Sequence, residues 1–195
     1  MSEGIIVTNN QLIKVIDDAL PEDLFAQALK DIQTEKLSAT LGSINPIFDG
    51  FASRGPAREG FDPESKWRKE LFQVLTTNSG IDVKQFYWRS TIYASGSGIS
   101  WHLDQGDGRS YAFNYYCIDT WDIDWGGELL YLNKPVSTRQ GLSEGALSSA
   151  GSELQLIYPR PNRLALIYPG CAHRVTPVSK RAGDHYRSTW TGFAF

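Results

Sequence analysis

The sequence predicts a mostly β fold with flanking helices, organised as a double-stranded β-helix, or jelly roll. Three observations lead there. The chain has 195 residues, 41% of them hydrophobic, which suits one ordinary domain around one core. Its 18 Gly and 9 Pro gather after residue 40 and punctuate the chain with turns. Beyond residue 84, short runs rich in β-branched and aromatic residues alternate with Gly, Pro, Asn and Asp, while helical spacing is confined to the first part. The expected organisation is a single domain over 1–195, with 1–84 as helical and lid support and 85–195 as the jelly-roll core.

In chain order, Ile5 to Val7 and Leu12 to Ile16 read as short strands separated by the turn-like Asn9-Asn10. A helix follows from Pro21-Glu22-Asp23, with Leu24, Phe25, Ala28 and Ile32 on one face through about residue 36. From Leu37 to Pro63 the periodicity disappears under Gly42, Pro46, Gly50, Gly55, Pro56 and Gly60, so residues 40 to 63 read either as a lid or as disorder. If a lid, Arg54 and Arg58 would reach an anionic substrate. A second helix is expected from Pro63 to about Thr77, burying Trp67, Leu71, Phe72 and Leu75. The strand candidates are then Gln85 to Ala94, Ser110 to Ile118, Glu128 to Leu132, Leu154 to Tyr158, Arg163 to Tyr168, His173 to Val175 and Tyr186 to Phe195.

Composition excludes several functions. A net charge of −3, from 19 Lys plus Arg against 22 Asp plus Glu, offers no broad field for nucleic acid or anionic membranes. The start lacks a basic n-region, and no 18 apolar residues follow one another, so a cytoplasmic, membrane-free protein is expected. Cys117 and Cys171 are too few for a disulfide scaffold and lack CxxC spacing. Cys171, two residues before His173, is conceivable as a soft metal ligand, but a small buried thiol explains it more simply.

The chain holds three His, two of them in surroundings that suit a metal. In Trp101-His102-Leu103-Asp104, the His and the Asp lie two apart, so an extended segment projects both to one face. His173, opening a later strand, is placed to complete the set. Two imidazoles and one carboxylate on one side of an iron leave positions open for a co-substrate and O₂. Such a pair alone also occurs by chance on protein surfaces.

The residues flanking the pair are more specific. Tyr93 precedes it across the turn Ala94 to Gly98, and Arg109 introduces a strand ending in Tyr115-Tyr116. Gly126-Gly127 opens the next strand, Pro161 to Tyr168 forms another, His173-Arg174-Val175 is followed by Pro177-Val178, and the last strand reads Arg187 to Phe193 with Thr191-Gly192-Phe193 at its end. Over residues 86 to 195 this order resembles the iron- and 2-oxoglutarate-dependent oxygenases, in their prolyl-4-hydroxylase-like branch. The resemblance implies Fe(II) held by His102, Asp104 and His173, 2-oxoglutarate as co-substrate, and O₂. It implies that Arg187 pairs with the far carboxylate of 2-oxoglutarate, with Tyr93 and Tyr116 donating hydroxyl hydrogen bonds to it. Because related halogenases have a small residue at the position of Asp104, the carboxylate here implies hydroxylation.

With a period of two, Arg187, Thr189, Thr191 and Phe193 share one strand face, so an inward Arg187 brings both Thr hydroxyls with it. The guanidinium fork suits a carboxylate, although a surface salt bridge is the plainer reading of an isolated Arg. The stretch from His173 to Arg187 is longer than the resemblance implies, which leaves Arg181 as a rival anchor; His185 in the same hairpin is expected to be exposed and uninvolved. Arg89 and Thr91 alternate with Tyr93 and are candidate substrate residues together with Trp101; an internal salt bridge would explain Arg89 equally well. Trp101, Trp121, Asp122, Asp124 and Trp125 form either an aromatic and acidic rim or ordinary strand and core packing. The substrate is expected to be a free amino acid or small metabolite, ahead of a protein or peptide prolyl or other side chain, with a catalytically silent binding module last; nothing in the sequence indicates an oligomeric state.

Overall fold

The computed structural model describes residues 11–35, 38–39, 48–49, 52–55, 58–59, 65–104, 108–136 and 154–195. In chain order the elements are β1 (Ile13–Ile16), α1 (Glu22–Thr34), β2 (Ser38–Ala39), β3 (Phe48–Asp49), β4 (Ala52–Arg54), β5 (Arg58–Glu59), α2 (Lys66–Ser79), β6 (Phe86–Tyr93) and β7 (Gly98–His102). Then come β8 (Tyr111–Tyr116), β9 (Leu129–Leu132), β10 (Leu154–Ile157), β11 (Leu164–Ile167), β12 (His173–Val175) and β13 (Arg187–Ala194). Short 3-10 turns occupy Ile123–Trp125 and Lys180–Ala182.

The strands form two antiparallel sheets. One runs β1-β11-β8-β13-β6-β4-β2, with β5 also paired to β6; the other runs β10-β9-β12-β7-β3. Strands that are distant in sequence therefore sit side by side, as a jelly roll requires. The two sheets face each other across an inner cluster that includes Ile13, Tyr93, Ile99, Tyr116, Leu129, Tyr131, Ile167 and Val175.

The larger sheet's other face is closed by the helices. Phe86 and Trp88 on β6, Phe113 and Tyr115 on β8, Leu164 and Leu166 on β11 and Trp190 on β13 pack against Ala28, Ile32, Trp67, Leu71, Phe72 and Leu75. Both helices bury the stripes their spacing predicts. The Trp67 indole donates to Asp31 at 2.8 Å, tying α2 to α1, and Gly80 ends α2 in the left-handed conformation at φ 69°.

Three regions differ from the sequence reading. The second helix begins at Lys66, while residues 63 and 64 lie outside the described ones, as does the strand expected around Ile5 to Val7. Of the stretch read as a lid, the described residues are short strands added to sheet edges: β3 beside β7, and β4 and β5 beside β6; the remainder of 40 to 63 lies outside the described residues. β7 is a strand that the sequence did not separate from its neighbouring turn, because Gly96, Gly98 and Ser97 mask its periodicity. Among the described residues, no helix is long and apolar enough to cross a membrane.

Candidate metal and co-substrate site

His102 ends β7 and His173 opens β12, and the two are directly paired across those strands. Between that pair and the Val175–Ile99 pair the register shifts, a β-bulge that falls on Ser100-Trp101 of β7. The chain leaves β7 immediately afterwards, which puts Asp104 beside both rings. Its carboxylate lies 3.3 Å from Nε2 of His173 and 3.7 Å from Nε2 of His102. The imidazole centroids are 4.2 Å apart, and one donor atom from each of the three side chains falls within 4.8 Å of the others.

Both rings are oriented in the same way. Nδ1 of His102 faces the Ser100 carbonyl at 2.8 Å, and Nδ1 of His173 faces the Cys171 carbonyl at 3.0 Å. Each ring therefore donates its Nδ1 proton to a carbonyl two residues back, leaving the Nε2 lone pair aimed at the shared space, the tautomer a metal needs. Cys171 thus takes part through its backbone; its thiol is buried and free.

The site's electrostatics favour a cation. Burial works to raise the Asp104 carboxyl, but the charge and hydrogen bond of His173, followed by the charges of His102 and Arg109, outweigh it and hold the group at about 2. Burial works to neutralise His173, yet the adjacent Asp104 carboxylate pushes it up to about 10. A divalent ion between them supplies the same positive charge while displacing the proton.

Arg187 occupies the neighbouring part of the inner face and is only 1% exposed. Its Nε donates to the Gly127 carbonyl at 2.7 Å, and one terminal nitrogen donates to the Tyr116 hydroxyl at 3.2 Å. Its guanidinium carbon lies 4.9 Å from the Tyr116 ring centroid and 5.3 Å from that of Tyr93, its cross-strand partner. Among the described residues no carboxylate pairs with it. Gly127, at φ 72°, makes this possible: a Cβ there would stand 2.9 Å from Cδ of Arg187.

Residues 88–195 match the family model of the 2OG-Fe(II) oxygenase superfamily. The chain belongs to that superfamily. The family implies Fe(II), 2-oxoglutarate and O₂, and the two-imidazole, one-carboxylate donor set fits the iron. The oxygenase fold also recurs in solved structures. A Pseudomonas putida prolyl-4-hydroxylase shares 15% identity at a TM-score of 0.65, over 94% of this chain and 92% of that one. A prolyl hydroxylase from Trichoplax adhaerens, in complex with a hypoxia-inducible factor oxygen degradation domain peptide, shares 16% at 0.63, over 95% and 84%. The non-heme α-ketoglutarate-dependent epimerase SnoN of nogalamycin biosynthesis shares 10% at 0.67, over 95% and 79%. No curated protein matches the oxygenase in sequence.

The remaining candidates separate cleanly. Arg181 is 71% exposed and pairs with Asp124 at 2.7 Å, so the rival to Arg187 lies on the surface. His185 is exposed but stacks on Trp125 at 4.3 Å, and Trp125 meets Trp121 edge-on at 5.3 Å. These contacts clasp the long hairpin between β12 and β13 against the Ile123–Trp125 turn, which gives Trp121, Asp124 and Trp125 a packing role. Arg58 bonds Glu35 and lies over Trp88 and Trp190, on the helix-covered face. Thr91 and Thr191 are brought together, with hydroxyls 3.1 Å apart, and Arg89 stands opposite Thr191. Trp101 is half-buried on the bulge before His102. Sequence reasoning noted the Gly126-Gly127 pair as a turn but missed its contact with Arg187, and it missed the Ser100 and Cys171 carbonyls altogether, since backbone acceptors leave no residue-type signal.

Proposed function

We propose that this oxygenase hydroxylates an unactivated C–H bond of a free amino acid or another small metabolite. His102, Asp104 and His173 are its iron ligands, and Arg187, Tyr93 and Tyr116 receive the far carboxylate of 2-oxoglutarate; Thr191, four residues along β13 from Arg187 and opposite Arg89, lies farther out on the same wall. The observation that carries this reading is Arg187: a guanidinium that is 1% exposed and without a carboxylate partner among the described residues. A buried, unpaired charge costs several kcal/mol unless an anion joins it.

When bound, the iron couples O₂-driven oxidation of 2-oxoglutarate to oxidation of the substrate. The chain's own part is positional. The Ser100 and Cys171 carbonyls hold both imidazoles in the ligating tautomer. Asp104, kept ionised at about 2, fills the position that a halide would need, which supports hydroxylation over halogenation. Gly127 and Tyr116 hold Arg187 rigid, so its remaining donor edge meets a carboxylate without a large ordering cost.

A second reading, hydroxylation of a prolyl or other side chain in a peptide, is supported by the fold likeness to the Trichoplax adhaerens enzyme, whose structure holds a peptide. The test measures succinate and a product heavier by one oxygen atom, with Fe(II), 2-oxoglutarate and either free amino acids or proline-containing peptides. Product from the free acids supports the first reading and product from peptides alone supports the second. A protein that binds neither iron nor 2-oxoglutarate would refute both.

A further inference from the structure

The inner face that carries Arg187 holds a second cationic cluster. Arg89 on β6 stands directly opposite Thr191 on β13, and Arg54 on β4 stands opposite Thr91 on β6. Directly opposed residues of antiparallel strands project to the same side, so these four side chains share the face of Tyr93 and Arg187. Arg54 and Arg89 are diagonal cross-strand neighbours, within reach for long side chains, and both are half-buried.

Several arginines of the protein are neutralised by its own carboxylates. Arg58 pairs with Glu35, Arg163 with Asp17 and Arg181 with Asp124. Arg89 departs from this pattern: its guanidinium donates to the Tyr87 hydroxyl and lies 5.3 Å from that ring's centroid. Among the described residues, no carboxylate pairs with it. Burial, and then the like charge of Arg89, lower the pKa of Arg54. The Arg89 charge, partly withdrawn from water beside a second guanidinium, is relieved by an oxyanion placed against it.

Depth distinguishes this cluster from the co-substrate anchor. Arg187 is 1% exposed, whereas Arg89 is half-buried and lies four residues along β6 from Tyr93, about 13 Å of strand. That separation leaves Arg89 free of the co-substrate anchor on the same wall. We propose that Arg89, with Arg54 beside it, receives the carboxylate of a small free-acid substrate and so orients the rest of that molecule toward His102, Asp104 and His173. The proposal rests on the oxygenase reading above and names the substrate class for that site.

The experiment incubates the protein, Fe(II) and 2-oxoglutarate with a panel of free L-amino acids and dicarboxylic acids. Parallel arms contain the carboxamide of each and N-acetylated, C-amidated proline peptides, and mass spectrometry reads hydroxylated product. The expected result is a free acid used with kcat/KM about 30-fold or more above that of its amide. Arg89→Met should lower turnover of the acid by about the same factor and that of the amide far less, so that the preference collapses; Arg89→Lys should restore part of it. A general folding defect would depress acid and amide alike. Equal use of acid and amide by the wild type, a preference for the capped peptide, no product from any acid, or a preference that survives Arg89→Met would each overturn the proposal. Calorimetric binding of 2-oxoglutarate to the wild-type protein with Fe(II) separates the two levels: its absence removes the oxygenase reading, whereas its presence without an acid preference removes only the carboxylate receptor.

Discussion

The two faces of the larger sheet are built from the same strands, one residue out of phase, and they do opposite things. On β13, Ser188, Trp190, Gly192 and Ala194 point toward the helices, where Trp190 packs at 5.2 Å from Trp88 and 5.4 Å from Trp67. Arg187, Thr189 and Thr191 point the other way, beside Tyr93, Thr91 and Arg89 of β6. The outer face is aromatic and closed, while the inner face holds buried polar groups that a core would ordinarily exclude. A sheet whose other face is packed against helices has one large apolar interface that does not include these groups.

Four experiments break or sharpen that contrast. The largest effect is expected at the metal triad: His173→Ala or Asp104→Ala should reduce Fe(II)-dependent succinate formation to background while the thermal midpoint stays near wild type. Loss of folding in both variants, measured by circular dichroism, would show that the inner face does support the fold.

Trp190→Ala tests the opposite face. Removing a wholly buried indole is expected to cost about 3–5 kcal/mol of stability, visible as a lower denaturation midpoint. The folded fraction should still bind 2-oxoglutarate with near wild-type affinity.

Arg187→Ala should reverse that pattern. Truncating one partner of a desolvated charge pair costs about 2–5 kcal/mol, or roughly 30- to several-thousand-fold in 2-oxoglutarate affinity, with iron binding much less affected. Lys at this position should recover part of the loss, keeping the charge without the fork. Arg181→Ala should be silent, since Arg181 is 71% exposed on the hairpin; a strong effect there with Arg187→Ala tolerated would redraw the last strand.

Gly127→Ala is expected to give a small change that affects both stability and binding. A side chain at φ 72° is strained by about 1–2 kcal/mol, and its Cβ would crowd Cδ of Arg187 from 2.9 Å. Stability should fall slightly, and the 2-oxoglutarate requirement should rise. Unchanged co-substrate affinity in titration calorimetry would mean that Arg187 shifts without losing its aim.

Much of this was legible in the sequence, for definite reasons. Strand alternation placed Arg187, Thr189 and Thr191 on one face, and the helical stripes of Ala28 and Ile32, and of Trp67, Leu71 and Leu75, were read correctly because both periodicities are properties of local backbone geometry. The spacing of His102 and Asp104 likewise needed only a short extended segment. The order of blocks from Tyr93 to Phe193 then identified the family.

Tertiary structure decided what local geometry cannot encode. Nothing in the sequence pairs His102 with His173 across β7 and β12, because that relation joins residues many positions apart and depends on strand order. The same holds for Arg54 and Arg58, four residues apart in one irregular stretch. Pairing with β6 sends Arg54 to the inner face opposite Thr91, while Arg58 goes to the outer face, where Glu35 neutralises it. The carbonyls of Ser100, Cys171 and Gly127 were invisible for a further reason: every residue has one, and only the folded chain determines which donor it meets.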